Sequence, residues 1–411
     1  TKNIQSSSSF DFNQIPSLLS RRHSKPKFCN DYEDIVENVR FICSFTGVVS
    51  SEEFLAKNPP APQAPLPVSS GSARMLDGRN VADQWLTDLG GEVLSVSSIL
   101  GRPPCLRVLM VGDRADSKVY VQRKLEKCRQ VGLAAEVHLL PSGASQEELE
   151  QGIRDANHNP RVDGILVQLP LATHMDEARA MLQMDPNKDV DGFHPYNMGS
   201  LMMKGRSTRL VPCTALGCLE LLRRSGIGVR GKQAVVVGDS NIVGAPLSIG
   251  LLRECGAAAV TVCNRRRRPP GSDEAATTDS MRRAEAGACG PAEPSPPSSP
   301  HGLSYTDIGF PVDLPAITRT ADILVVAVGH PDLVRSDWVK PGAVVLDVGI
   351  NVVDQSHASR AGGLHVVGDV AFDEVSHVAS ALSPVPGGIG PMTIAAVVHN
   401  TVQAARFSLD S

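Results

Sequence analysis

Ala234-Val235-Val236-Val237-Gly238-Asp239-Ser240-Asn241-Ile242-Val243-Gly244-Ala245-Pro246 decides the fold. A short apolar run ends in Gly, a polar turn follows, and an apolar stretch begins at Leu247. This is the order strand, tight turn, helix. Such a turn lets backbone approach a pyrophosphate at a helix N-terminus. Gly238 and Gly244 suit that approach, Ser240 offers a hydroxyl donor, and Val243 closes the turn. The spacing is not G-x-G-x-x-G, so alone it fits a plain strand-turn-helix equally well.

The neighbouring stretches decide between the two. Ala259–Asn264, Ile323–Gly329 and Ala343–Val348 are further apolar runs without alternation. Strands buried on both faces by helices have this texture. Upstream, Leu106–Gly112 and Gly164–Leu169 read as strands, while Ser117–Gly132 and Ala215–Ser225 read as helices. Strand and helix alternate throughout, which predicts a doubly wound α/β architecture with a parallel sheet. Ligands in such sheets lie beyond the carboxyl ends of the strands. Val328-Gly329-His330 and Val348-Gly349-Ile350-Asn351 are strand ends of that sort, so Gly329 and Ile350 join the nucleotide candidates.

The 411 residues allow two or three domains, and 42% hydrophobic residues allow a sizeable core. A formal net charge of -4 gives no general attraction to nucleic acid or an anionic membrane. No apolar run reaches the roughly 20 residues a bilayer span needs. The 9 cysteines include no Cys-x-x-Cys pair, which predicts reduced thiols and no structural zinc. His194 has no second ligand at metal spacing and reads as structural.

Three regions differ in texture, the third being the short tail after Ala405. Residues 1–72 hold Ser6 to Ser9, a basic patch from Arg21 to Lys27, and a Pro/Ala stretch from Asn58. Asp31, Glu33, Asp34 and Glu37 oppose a transit peptide beyond about residue 28. The segment is therefore either a disordered extension or a targeting one, with a mitochondrial or other organelle matrix as destination in the second case and the cytoplasm in the first. Residues 265–303 open on Arg265-Arg266-Arg267-Arg268 and are dense in Pro, Ser and Ala. That composition predicts an inserted surface loop.

Five longer motifs carry a resemblance. They are Val111-Gly112-Asp113-Arg114-Ala115-Asp116-Ser117 with Tyr120-Val121-Gln122-Arg123-Lys124, Asp163 to Leu171, and Lys188-Asp189-Val190-Asp191-Gly192 with Asn197 and Gly199. Pro212-Cys213-Thr214 and Pro384-Val385-Pro386-Gly387-Gly388-Ile389-Gly390-Pro391-Met392-Thr393 complete the set. From residue 73 to about 406, the insertion apart, the chain resembles the bifunctional methylenetetrahydrofolate dehydrogenase/cyclohydrolase family. The resemblance implies a catalytic α/β domain over 73–212, completed by a last helix at about 392–406. It implies a Rossmann-like NAD(P)-binding domain over 213–391, and homodimers formed through that domain. The implied activity oxidises 5,10-methylenetetrahydrofolate and hydrolyses the methenyl product.

The resemblance makes Lys124 the central catalytic residue and places Tyr120 against the folate ring. The residue types suit that chemistry. Tyr120 and Lys124 stand four apart and share a helix face. A Lys lining an apolar cleft loses charge more easily, because desolvation disfavours the cation, and it then exchanges protons near neutral pH. Gln168 positions without adding charge, and Asp191 accepts from the donor-rich pterin edge. Val121, Val167 and Leu169 flank these groups, and Pro386, Gly387, Gly388, Ile389 and Gly390 offer bare backbone to substrate.

Ile389 stands where the family usually has Val. Asp239 stands where it usually has an Arg that holds the 2′-phosphate of NADP, and Asn264-Arg265 replaces His-Ser. Arg265 is the expected replacement cation, with NADP as cofactor. The alternative is that Asp239 reads the ribose hydroxyls of NAD. Two rival functions differ in class: an inactive folate-binding or scaffold protein on the same fold, and a two-domain dehydrogenase of the shikimate or amino-acid type. Tyr120 and Lys124 are both present, against the first. The second lacks the Tyr-x-x-x-Lys and Pro-Gly-Gly motifs together.

Overall fold

The computed structural model describes residues 72–206, 208–264, 313–354 and 364–409. The extension up to residue 71, Arg265 and the rest of the 265–303 insertion lie outside the described residues.

The chain enters as a two-residue strand β1 (Arg74–Met75) and a long helix α1 (Gly78–Leu100). Asp77 caps α1, accepting from the Arg79 and Asn80 N–H groups at 3.0 and 3.2 Å. Trp85, Leu86, Leu89, Val93 and Val96 recur at helical spacing and are all buried. Next come β2 (Cys105–Val111), α2 (Ala115–Gln130), β3 (Ala134–Leu140), α3 (Gln146–His158) and β4 (Gly164–Val167). Helix α3 starts with a reciprocal cap: Ser145 Oγ accepts from the Glu148 N–H, and Glu148 Oε2 from the Ser145 N–H. Strands β3, β2 and β4 form a parallel three-stranded sheet. Leu109, Leu149, Ile153, Ile165 and Val167 fill its core.

Three helices follow, α4 (Glu177–Leu182), α5 (Pro195–Met202) and α6 (Cys213–Arg224). The second sheet is built from β5 (Gln233–Val237), α7 (Gly244–Ile249, continued by a π turn to Glu254), β6 (Ala259–Cys263) and α8 (Leu314–Thr318). The chain continues with β7 (Ile323–Val326) and β8 (Val344–Asp347) of the same sheet, a separate antiparallel hairpin of β9 (Asn351–Asp354) and β10 (Leu364–Val367), and α9 (Phe372–Val375). A two-residue strand β11 (Ala381–Leu382) and the closing helix α10 (Ile389–Phe407) end the described chain. Among the described residues this sheet has the order β1-β11-β8-β7-β5-β6, every pairing parallel.

The four apolar runs around Gly238 are therefore neighbouring parallel strands. Three are buried along their length, but β6 is not: it is the sheet's edge, and Val262 is 44% exposed. An apolar run reads alike in a central and an edge strand, because pairing on one side only leaves no mark on composition. Arg74–Met75 also departs from expectation. It falls in the segment assigned to the catalytic domain, yet it pairs with β11 of the second sheet.

Helix α10 packs against α1 and α6, and it extends past Ala405 to Phe407, where a tail was expected. Asn400 on α10 is 1% exposed. Its amide donates to the Val190 and Val211 carbonyls, both at 2.8 Å. The last helix thus holds the chain on both sides of Asp191. None of the six described cysteines is in a disulfide, and no described helix is long and apolar enough to cross a membrane.

Candidate active site

Helix α2 delivers Tyr120 and Lys124 from the α2 face that borders the end of β4. Lys124 Nζ donates to Gln168 Oε1 at 3.0 Å. Gln168 is oriented from its other end, since its Nε2 donates to the Leu169 carbonyl at 2.7 Å. Its backbone N–H donates to the Leu109 carbonyl at 2.9 Å, so β2 fixes it too. The Leu169–Pro170 peptide is cis. The amide oxygen is therefore held toward the ammonium by two neighbouring anchors.

Asp191 reaches the same place from a different segment. Burial pushes its carboxyl up to about 6, against the nearby Lys124 charge, which pulls it down. Asp189 adds a raising effect and the Cys213 thiol a lowering one. Asp189 itself is fully buried and serves the backbone. It accepts from Gly192 N–H at 3.1 Å, His194 N–H at 2.7 Å and the Asn197 amide at 3.1 Å. Burial raises its pKa as well. Gly192 has φ 73°, and a Cβ there would press on Pro212. Lys188 ties the segment to α3, donating to the Asn157 carbonyl at 2.8 Å and the Asn159 carbonyl at 3.1 Å. In the third motif, then, Asp191 is the group presented and the others hold it. His194 caps α5, its Nδ1 accepting from the Tyr196 N–H at 3.1 Å.

A cavity of about 380 Å³ lies beside this group. Tyr120 lines it, together with Pro386, Gly387, Gly388, Ile389 and Gly390 on one wall and Val348, Gly349 and Ile350 on another. It therefore brings α2 together with the carboxyl end of β8. Lys124, Gln168 and Asp191 do not line it; Lys124 stands one helical turn on from Tyr120, which does. Val121 and Val167 are 4% and 2% exposed. Their side chains belong to the core rather than to the cavity wall, because α2 and β4 turn those positions inward. Leu169 is partly buried against the same core. Gly388 lines the cavity, and its carbonyl also packs on Gly78, where a Cβ would collide with it. The Arg79 N–H donates to the Gly387 carbonyl at 3.2 Å, so the start of α1 supports the turn.

At the second sheet, Val237 is in register with Cys263 and Val326, and Val326 with Asp347. Gly238, Asn264, Ala327 and Val348 therefore follow directly on aligned strand ends. Gly238 has φ 115°. A Cβ on it would collide with the Ala327 carbonyl oxygen, and one on Gly244 with the Gly238 carbonyl oxygen. Both glycines are required by protein packing, and the turn is drawn tight as a result. Ser240 Oγ accepts from the Val243 N–H at 3.2 Å, which leaves its own proton to donate. Gly329 has φ 65° with open space where a Cβ would stand. A tight Gly turn beside an open strand end is a cradle that fits a dinucleotide. Asp239 accepts from the Asn264 amide at 2.7 Å across the ends of β5 and β6.

Several site residues escaped the sequence reading. Arg123 and Lys127 line the cavity with Tyr120, and the helical spacing of three and seven from Tyr120 would have found them. Arg79, on the first turn of α1, carries no such signal. Asp347 also lines the cavity. It is 3% exposed, and burial pushes its carboxyl up to about 7, partly offset by backbone N–H groups bonded to it. A lone Asp at the end of an apolar run gives no indication of how many backbone groups it gathers.

Known proteins match along the same lines. Residues 76–191 match the family model described as the tetrahydrofolate dehydrogenase/cyclohydrolase catalytic domain. Residues 212–279 and 309–409 match that of the same family's NAD(P)-binding domain. The chain is 41% identical over 338 residues to bifunctional protein FolD 4, chloroplastic, of Arabidopsis thaliana, covering 82% of this chain and 81% of that one. It is 38% identical over 351 residues to the mitochondrial FolD 1 of the same plant, covering 84% and 86%. Among solved structures, the bifunctional FolD of Campylobacter jejuni superposes with a TM-score of 0.65 at 35% identity, covering 82% of this chain and all of that one. The Trypanosoma brucei dehydrogenase-cyclohydrolase, solved with NADP and an inhibitor, gives 0.66 at 32% identity, covering 83% and 99%. With both family domains matched in order, the chain belongs to the bifunctional tetrahydrofolate dehydrogenase/cyclohydrolase family.

Proposed function

We propose that this enzyme oxidises 5,10-methylenetetrahydrofolate with NAD(P)⁺ and hydrolyses the methenyl product to 10-formyltetrahydrofolate, with Lys124 exchanging the protons. The observation that carries this reading is the Lys124–Gln168 bond at 3.0 Å with Asp191 beside it. Gln168 holds the amine without neutralising it. Asp191 accepts from the pterin edge, and Tyr120 stacks on the ring from the cavity wall. Arg79 and Arg123 at the same cavity suit the carboxylates of the substrate's glutamate.

When bound, NAD(P)⁺ supplies an acceptor for hydride. Gly238, Ser240, Val243, Gly244, Gly329 and Ile350 are the residues that would hold it. For the adenosine end we propose NADP, with Arg265 supplying the cation that Asp239 does not. The competing reading gives Asp239 the ribose hydroxyls of NAD, and its bond to Asn264 favours that reading. The absorbance of the methenyl product, followed with NADP and with NAD, gives kcat/KM for each. NADP preference in the wild type, weakened selectively by Arg265→Ala, supports the first. NAD preference, or an equal loss with both cofactors, defeats it.

The nucleotide-binding half is the proposed dimer surface, with the exposed edge β6 as one available element; sedimentation reads the state. Residues 1–72 are the proposed determinant of compartment. Fused to a fluorescent protein, they should direct it to an organelle if they target and leave it in the cytosol if they do not.

A further inference from the structure

One buried carboxylate gathers the strand ends at the carboxyl edge of the six-stranded sheet. Asp369 is 0% exposed. It accepts from three consecutive backbone N–H groups, those of Val328 at 2.7 Å, Gly329 at 3.0 Å and His330 at 2.9 Å. The Asn351 side-chain amide donates to it at 2.8 Å. Its own N–H donates to Asp347 Oδ1 at 3.0 Å, and the Val370 N–H to Asp347 Oδ2 at 2.9 Å. Asp347 also accepts from the Gly349 N–H at 3.0 Å. Two glycines make room for this: a Cβ at Gly349 would collide with the Asp369 carboxyl, and one at Gly368 with the Asp347 carboxyl.

Successive N–H groups that converge form a concavity suited to an anion. Here the anion is the protein's own side chain. It sets the turn after β7, where Gly329 takes φ 65° and leaves open space. That turn follows the strand paired with β5, whose end is the Gly238 turn. Ligands of open α/β sheets lie at such ends. The same carboxylate reaches β9 through Asn351, and through Asp347 the segment that lines the Tyr120 cavity. It therefore couples the cofactor side of the cleft to the folate side.

We propose that Asp369 is a positioning residue for NAD(P): it presents the Val328–His330 turn to the bound dinucleotide and contributes to no proton transfer. This rests on the reading that NAD(P) binds at these strand ends. The Asp369→Asn variant keeps the size but turns an amide NH₂ toward N–H donors. On the full chain, calorimetry gives Kd for NADP and NAD without folate, and hydrolysis of supplied methenyltetrahydrofolate is followed without cofactor. Kd for the preferred cofactor should rise about ten-fold or more, as loss of bonds to a charged acceptor predicts. The ratio of hydrolase to dehydrogenase activity at fixed cofactor should rise with it. An unchanged Kd, or both activities falling in parallel, overturns the proposal. Should Asp369→Asn not fold, Asn351→Ala decides, since it removes one donor and leaves three. A rise of a few-fold in Kd supports the proposal, and an unchanged Kd in a folded protein overturns it. Failure of the wild type to bind either cofactor would instead defeat the dehydrogenase reading.

Discussion

At Asp191 the structure turns a motif letter into a titration. The carboxyl is pushed up to about 6 by burial, so it is ionised above that pH and neutral below it. A neutral Asp191 is a weaker acceptor for the pterin donors and gives Lys124 no counter-charge. The KM for the folate substrate should therefore rise as pH falls through about 6. In Asp191→Asn that inflection should be gone, with KM high and flat. A pH series of hydrolase kinetics on both proteins checks this, and an inflection that persists in Asp191→Asn would refute it. Residue identity at this centre was legible, because Tyr120, Lys124, Gln168 and Asp191 each sit in a long motif. The burial of Val121 and Val167 was not, since a Val inside a motif looks the same whether it faces ligand or core. Asp369 was equally hidden, because three N–H groups converge on it only once β7 and β10 are placed.

Among the elements, the turn after β5 makes the strongest demand on sequence. Gly238 combines φ 115° with contact on the Ala327 carbonyl. Gly238→Ala should cost about 1–3 kcal/mol from the strained backbone alone, more with the collision, and should weaken cofactor binding. Thermal melts and Kd measurements read both; an unshifted Tm would contradict the packing described. Helix α1 offers a plainer case. Leu89 on α1 is 0% exposed, so Leu89→Ala should lose about 2–5 kcal/mol, as denaturant unfolding would show. The buried strands were legible from apolar runs ended by Gly. Their edge was not, because β6 carries the same kind of residues. Nor was the pairing of β1 with β11, since two-residue strands have no periodicity.

For the whole molecule, the two α/β domains were what the resemblance implied, and the family match covers the same ground. The match breaks between residues 279 and 309. Replacing about Pro269 to Pro300 by a short linker should therefore change Tm little, since loop entropy varies by about 0.6 kcal/mol per doubling of length. A large loss on deletion would mean that this stretch packs on the domain.

The central claim is that Lys124, held by Gln168 beside Asp191, moves the protons of the hydrolysis and positions the carbon that gives up hydride. Lys124→Met exchanges the amine for an apolar chain of similar length, and general acid–base help of this kind is worth roughly 10²–10⁴-fold. The decisive measurement is hydrolysis of supplied methenyltetrahydrofolate by Lys124→Met, with thermal melts confirming the fold. The account predicts hydrolysis lost to background and hydride transfer strongly weakened in a protein that melts like the wild type. Hydrolysis at the wild-type rate would contradict it.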